Sequence, residues 1–276
     1  MNNLEQDIQT MPKLNIFVIF HKKIFSSMYR KLKRYRKDVV FIGVKRRISK
    51  VFQYIHRYSI IYEQDFKNYR PELQKRGYNE TSALYHVYVN KLYTGFDYIG
   101  FAQYDMEIGD EVFKVMYANI NNRPERKFIF YAYKLLIKHQ NGLVTSWIPF
   151  DFIINSYNKH FQVNFTADEL AGNKIVSENL IICSTFIIPT WMFEKIMDWI
   201  SVLIDQIYPW ANLSPYPLHN QQMGNVLERA YGLALAIELL NQGTEMIQVE
   251  IKDQGLCNFN FFYRVRKRIK FFIAKE

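Results

Sequence analysis

The sequence predicts an α/β fold, a single domain built on a parallel sheet with helices on its faces. Three observations carry this. From residue 14 onward, short apolar runs rich in aromatic and β-branched residues alternate with longer stretches of helical periodicity. No internal repeat and no flexible linker divides the 276 residues. With 49% hydrophobic and 17% aromatic residues, the chain can bury a sizeable core, which excludes a disordered protein.

In chain order, residues 1–12 read as a polar leader that ends at Pro12, 13–258 as the folded domain and 259–276 as a basic aromatic tail. Residues 14–20 form a first buried strand, followed by a basic helix over 24–37 and a second strand over 39–44. A helix over 46–57 and a short strand over 59–62 continue the alternation. A polar loop through Arg70-Pro71 and Gly77 leads to a helix over 79–90. Asn79 suits its N-cap, Glu80 suits the positive end of its dipole, and Ala83, Leu84, Val87 and Tyr88 share one face. Glu80 and His86 read equally well as a first-turn charge and a satisfied imidazole. The next strand covers 97–104, another 127–133, and the region 142–172, with Trp147, reads as a loop-rich wall. A strand over 179–188, broken by small residues at its middle, runs into a helix whose apolar face carries Phe193, Ile196, Trp199 or Ile200, Leu203, Ile204 and Ile207. After a proline-rich turn, the clearest helix covers 220–241, with Met223, Val226, Leu227, Ala230, Ala234 and Ile237 inward and Gly243 as C-cap. Residues 246–251 read as an edge strand.

The net charge of +10 is unevenly placed. Twelve basic residues against Asp38 stand between Lys22 and Lys50, and Arg264, Arg266, Lys267, Arg268 and Lys270 lie among aromatics. Such surfaces suit nucleic acid, an anionic membrane face or a phosphorylated substrate, or are simply solvated. No helix-turn-helix, zinc-finger or RNP sequence supports nucleic acid. No apolar stretch reaches the length of a membrane span and no cleavable signal opens the chain. Cys183 and Cys257 alone exclude a disulfide framework and a cysteine zinc site, which favours a cytoplasmic setting, peripheral on a membrane if the tail docks there.

Chemistry concentrates where the strand over 97–104 ends on Asp105 and Glu107. In open α/β sheets ligands bind outside the carboxyl ends of strands. There an Asp-x-Glu suits a divalent cation that in turn holds a diphosphate. The same residues also read as an acidic turn, since Gly109-Asp110 follows.

Several stretches resemble one family, the bacterial glycosyltransferases of capsule and exopolysaccharide clusters. The first strand ending in His21-Lys22 is similar to the family's opening strand, and the stretch from Tyr78 to Tyr85, closed by Asn90, to its Tyr-Cys-Glu-Leu-Thr-Ala-Leu-Tyr signature. Tyr98 to Tyr104 resembles its Tyr-Ile-Gly-Leu-x-His-Tyr, and Gly224 to Arg229 its Gly-Phe-Leu-x-Glu-Arg. Cys183 through Trp199 resembles its apolar strand and Trp-containing helix. The resemblance implies a GT-A-like fold that binds nucleotide sugars on a central, mostly parallel mixed sheet. It departs from the family at Gln103-Tyr104-Asp105-Met106, where the family has His-Tyr-Arg-Arg. What stands there instead is similar to the Asp-x-Asp site of metal-dependent GT-A enzymes.

The expected activity is transfer of a sugar from a nucleotide-diphosphate donor to a hydroxyl of a glycan or lipid-linked acceptor. Mn²⁺ or Mg²⁺ at Asp105 and Glu107, with His219 as third ligand, would neutralise the leaving diphosphate. Phe20, His21, Tyr62 and Glu80, with Gln103 and Tyr104, would hold base, ribose and phosphates. Glu228 would act as general base or acceptor contact, or form a structural ion pair with Arg229. The rival reading is a non-catalytic basic protein that binds nucleic acid or an anionic membrane surface.

Overall fold

The apolar runs do become strands, and most of them are buried on both faces. In the computed structural model, which describes residues 11–21, 24, 31–44, 59–75, 78, 80–135, 150–209 and 222–253, all seven residues of β1 (Leu14–Phe20) are buried. A strand covered on both sides needs no polar alternation, which is why the sequence reads as a continuous apolar run. β2 (Val39–Gly43), β3 (Ser59–Tyr62) and β4 (Tyr98–Gln103) follow, then the two-residue β5 (Met106–Glu107), β6 (Lys127–Leu135), β7 (Leu180–Pro189), β8 (Thr244–Gln248) and β9 (Lys252–Asp253).

Seven of these form one sheet in the order β3-β2-β1-β4-β7-β6-β8, while β5 and β9 pair as a separate antiparallel ribbon. β7 is antiparallel to both β4 and β6; every other pairing in the large sheet is parallel. The fold is therefore a single α/β layer structure on a mostly parallel mixed sheet, and the carboxyl ends of six strands lie along one edge.

Alternate side chains of β1 enter two cores. Phe17 and Ile19 pack under α1 (Glu80–Val89), α3 (Phe150–Phe161), α4 (Thr190–Ile207) and α5 (Gln222–Glu238). Ile16, Val18 and Phe20 face the opposite core, which Val112, Phe113 and Met116 of α2 (Asp110–Asn122) close. The apolar stripes of α4 and α5 are buried as their spacing requires. α5 can lie directly on β7 because position 232 is glycine: a Cβ there would stand 2.3 Å from the carbonyl oxygen of Ile181.

A buried polar cluster ties β3 to α1. Glu63, just beyond β3, is 0% exposed and accepts hydrogen bonds from Gln74 Nε2 at 2.8 Å and from the Ser82 hydroxyl. It also pairs with Nδ1 of His86, whose Nε2 accepts from the Arg70 N–H at 2.8 Å. With Nε2 accepting, the neutral imidazole carries its proton on Nδ1. His86 is thus a satisfied core imidazole.

Three expectations change. Residues 150–161 form a helix rather than a loop-rich wall, with Phe150, Ile153, Ile154 and Tyr157 buried at helical spacing. Gly243 has the left-handed backbone expected of a cap (φ 86°), but α5 already ends at Glu238. The glycine turns the chain into β8, and its carbonyl accepts from Lys127 N–H at 2.7 Å. The sheet-edge strand runs over Thr244–Gln248 instead of 246–251. The helix expected over 46–57, Asn79, Trp147, residues 1–10 and the tail lie outside the described residues. Among the described residues, no helix is long and apolar enough to cross a membrane.

The Gly232 contact gives a stability test. Gly232→Ala should cost about 3 kcal/mol by urea unfolding, because a backbone carbonyl cannot move aside as a side chain can. Gly172→Ala, where nothing lies within 4 Å of the added methyl, should cost nothing.

Candidate functional site

The order of strands locates the site. From β1 the chain steps outward through β2 to β3, then returns to place β4 on the other side of β1. At such a reversal the connections leave the sheet in opposite directions and open a crevice at the carboxyl ends. His21, leaving β1, and Tyr104, leaving β4, meet there with ring centroids 4.7 Å apart and planes at 80°. Both are half-buried, as is Gln103.

The β4 end is linked to β7 and α5 by polar contacts. Gln103 N–H donates to Thr185 Oγ1 at 3.4 Å, and the Thr185 hydroxyl donates to the Cys183 carbonyl at 2.9 Å. Cys183 N–H donates to Oε1 of Glu228, and Arg229 Nη1 lies 3.2 Å from Glu228 Oε2. Burial pushes the Glu228 carboxyl above the ordinary glutamate range, although the Arg229 charge and the Cys183 N–H pull the other way. Tyr231, one turn along α5, is fully buried; burial and then the Glu228 charge push its phenol up, and the Glu80 charge also acts on it.

β7 is irregular at this point. Cys183 (φ 68°) and Ser184 (φ 42°) are consecutive left-handed residues, and the β6–β7 register shifts opposite them, between Tyr131 and Tyr133. Non-glycine residues in this region cost about 1–3 kcal/mol each and persist only where surroundings hold them. The structure therefore brings His21, Gln103, Tyr104, Glu80 and Glu228 to neighbouring elements at one end of the sheet. Ser184, Thr185 and Tyr231 join them; the small residues that interrupt the apolar run of β7 mark the place of the first two, but nothing in the spacing assigns any of the three to the site.

Phe20 and Tyr62 are placed differently from expectation. They are 1% and 6% exposed, packed edge to face at 6.3 Å across Gly43. A Cβ at Gly43 would come within 2.6 Å of the Tyr62 ring and 2.9 Å of the Phe20 ring. Both rings form the floor beneath the strand ends instead of a surface for a base. A polar group offered at that end is Gln64, which the sequence does not single out. Its Nε2 lies 3.5 Å from the Val44 carbonyl, and its buried Oε1 has no hydrogen-bond partner among the described residues.

No family model and no curated protein sequence matches the chain. Solved structures similar in shape include glucosyl-3-phosphoglycerate synthase from Mycobacterium tuberculosis in complex with Mn²⁺ and uridine-diphosphate-glucose. That structure has a TM-score of 0.43 and 8% identity over 88% of this chain and 71% of that one. The same enzyme with Mn²⁺, uridine diphosphate and glucosyl-3-phosphoglycerate gives 0.43 and 8% over 88% and 72%. Mouse xyloside xylosyltransferase 1, apo form, gives 0.41 and 10% over 85% and 84%. Likenesses of this size assign neither family nor activity.

The expected metal ligands are distributed unevenly. Asp105 is half-buried in the turn after β4. Glu107, two residues on in β5, has a side chain 3% exposed that pairs with the Lys31 ammonium. Asp110 accepts the backbone N–H groups of Lys33 at 3.0 Å, Arg34 at 3.0 Å and Tyr35 at 3.4 Å. Burial works against that carboxylate, but the three N–H groups outweigh it and hold the pKa below the usual range. Glu107 and Asp110 together clamp the segment 31–35 onto the start of α2. Among the described residues, no three His, Cys, Asp or Glu gather closely enough to hold a metal, and His219 lies outside them. Asp105 and Glu107 thus do not fit a cation as they stand, since one carboxylate is already committed to an ammonium. An open cleft of about 1060 Å³ adjoins Glu107 and Lys31 at the ends of β6 and β8, with Lys33, Lys114, Tyr133 and Lys252 in its walls.

The clamp predicts an asymmetry. Lys31→Met leaves a buried carboxylate without its ammonium and should cost about 1–3 kcal/mol by urea unfolding. Glu107→Gln removes the buried charge itself and leaves the Lys31 ammonium exposed to water, so it should cost under about 1 kcal/mol. A larger loss in Glu107→Gln would contradict the clamp.

Proposed function

We propose that this protein is a glycosyltransferase that moves a sugar from a nucleotide-diphosphate donor to a hydroxyl of a glycan or lipid-linked acceptor. One observation carries the reading. A half-buried carboxylate whose pKa desolvation has raised, Glu228, is hydrogen-bonded into the carboxyl-end crevice of an open, mostly parallel sheet. A carboxylate desolvated in this way is a stronger base than one in water, and sits beside the place where such sheets take nucleotides.

In this reading the nucleoside lies over the ends of β1 to β3, where the Gln64 carboxamide offers an acceptor to a base N–H. The phosphates lie toward His21, Gln103 and Tyr104, and Glu80 and Asp105 contact sugar hydroxyls. The acceptor oxygen attacks the anomeric carbon, the bond from that carbon to the phosphate oxygen breaks, and the acceptor proton passes to Glu228. A nucleoside diphosphate leaves. No step is routed through Mn²⁺ or Mg²⁺, because Lys31 already neutralises Glu107.

A thermal-shift screen with uridine and guanosine diphosphates and their sugars tests the donor half. At a hundred times Kd, a ligand that binds only the folded state stabilises it by about 2.7 kcal/mol, which is several degrees for a chain of this size. The shift should persist in a chelator and shrink in His21→Ala. Glu228→Gln should leave it unchanged while turnover falls at least about 100-fold. Because the base works ionised, wild-type turnover should fall with acid at a pH above that of an ordinary glutamate. Stabilisation by none of these nucleotides would remove the transferase reading.

A further inference from the structure

Within a regular strand, backbone N–H groups lie in the plane of the sheet and point at neighbouring strands. α5 lies over one face of the sheet, yet Glu228 on α5 receives the N–H of Cys183 from inside β7. That bond exists because the backbone leaves the plane at Cys183 and Ser184, both left-handed, where the ladder to β6 slips. Neither residue is glycine, so the conformation must be held from outside. The holding contact is visible: the Ser184 hydroxyl meets the Tyr231 hydroxyl at 2.5 Å, and the two residues are 3% and 1% exposed. Tyr231 stands three residues after Glu228 on the same face of α5, so one helix both fixes the bulge and receives the N–H that it turns outward.

We propose that Ser184 and Tyr231 are positioning residues: their hydroxyl contact holds the β7 bulge that aims the Cys183 N–H at Glu228. The groups facing Glu228 are Cys183 from β7, and Arg229 and Tyr231 from α5, with Glu80 of α1 acting on Tyr231. Of these, the N–H and Arg229 favour the ionised carboxylate, so losing the bulge removes one of its two supports. The proposal rests on the transferase reading only for what the ionised carboxylate is used for.

The test is a ¹³C NMR titration of the Glu228 carboxyl in the whole protein, assigned by its absence in Glu228→Gln. Tyr231→Phe and Ser184→Ala should each raise the midpoint, which below that midpoint is about a tenfold drop in the ionised fraction. Ser184→Gly also lacks the hydroxyl, but glycine accepts a left-handed φ unaided, so its midpoint should match wild type. Equal midpoints in all variants would overturn the proposal. So would Ser184→Gly behaving like Ser184→Ala, since the hydroxyl itself would then act on Glu228 without the bulge. Should Tyr231→Phe not fold, the alanine and glycine variants at 184 decide alone. With a donor in hand, the acidic limb of kcat/KM should follow the NMR midpoint across the variants while the nucleotide-induced thermal shift stays fixed. A protein that binds no nucleotide would refute the transferase reading, and the NMR comparison would still judge the positioning claim.

Discussion

Glu63 is the point on which one side of the molecule hangs. A carboxylate with no exposure to water is costly unless every lone pair is matched, and removing one partner of such a pair is far worse than never building it. Here the partners come from two places in the chain: Gln74 in the segment after β3, and Ser82 and His86 in α1. His86 passes the constraint on to the Arg70 N–H, and Arg70 reaches Asp205 of α4 at 2.8 Å. The cluster therefore fixes where α1 begins, and with it where Glu80 stands relative to α5.

A second constraint works through close approach. Glycine at 43 lets two aromatic rings close over a strand end, and glycine at 232 lets α5 rest on the backbone of β7. With α5 this near, Glu228 and Tyr231 reach main-chain and side-chain atoms of β7 directly. The bulge is thus affordable only because a helix lies within hydrogen-bonding distance of it. Packing density and local strain are two sides of one arrangement at this edge of the sheet.

Much of the architecture was legible from residue order. Continuous apolar runs announce β1, β2 and β4 because both faces of those strands are covered, and the stripes of α4 and α5 announce their buried faces. The short helix α3 was hidden because Trp147, Pro149 and the glycine before them suggest a loop, although Phe150, Ile153, Ile154 and Tyr157 carry helical spacing. The site was legible only in part. Periodicity reports what is buried, and says nothing about which distant charge lies opposite which. Glu107 looks like a free carboxylate until Lys31, 76 positions earlier, is seen on it. Phe20 and Tyr62 look like ring surfaces at strand ends until Gly43 shows that they close on each other. The bulge at Cys183 and Ser184 falls where small residues interrupt the apolar run of β7, a break that marks the place but not the direction in which the backbone turns.

The small ribbon of β5 and β9 sets a timetable. Glu107 pairs with Lys252, about 145 residues further along the chain. During synthesis at about 5–20 residues per second, the partner strand appears about 7–29 s after β5 has left the ribosome. In that interval β1, β2 and β4 are already complete, since their pairings span far shorter separations. The nascent protein can therefore settle the half of the sheet around the β1–β4 crevice long before its edge at Glu107 closes. Contacts that wait for distant sequence are the slow ones in folding. Among the described residues, the rim beside the crevice is thus the last part to be finished, and an unfinished copy is one that has its floor but not its wall.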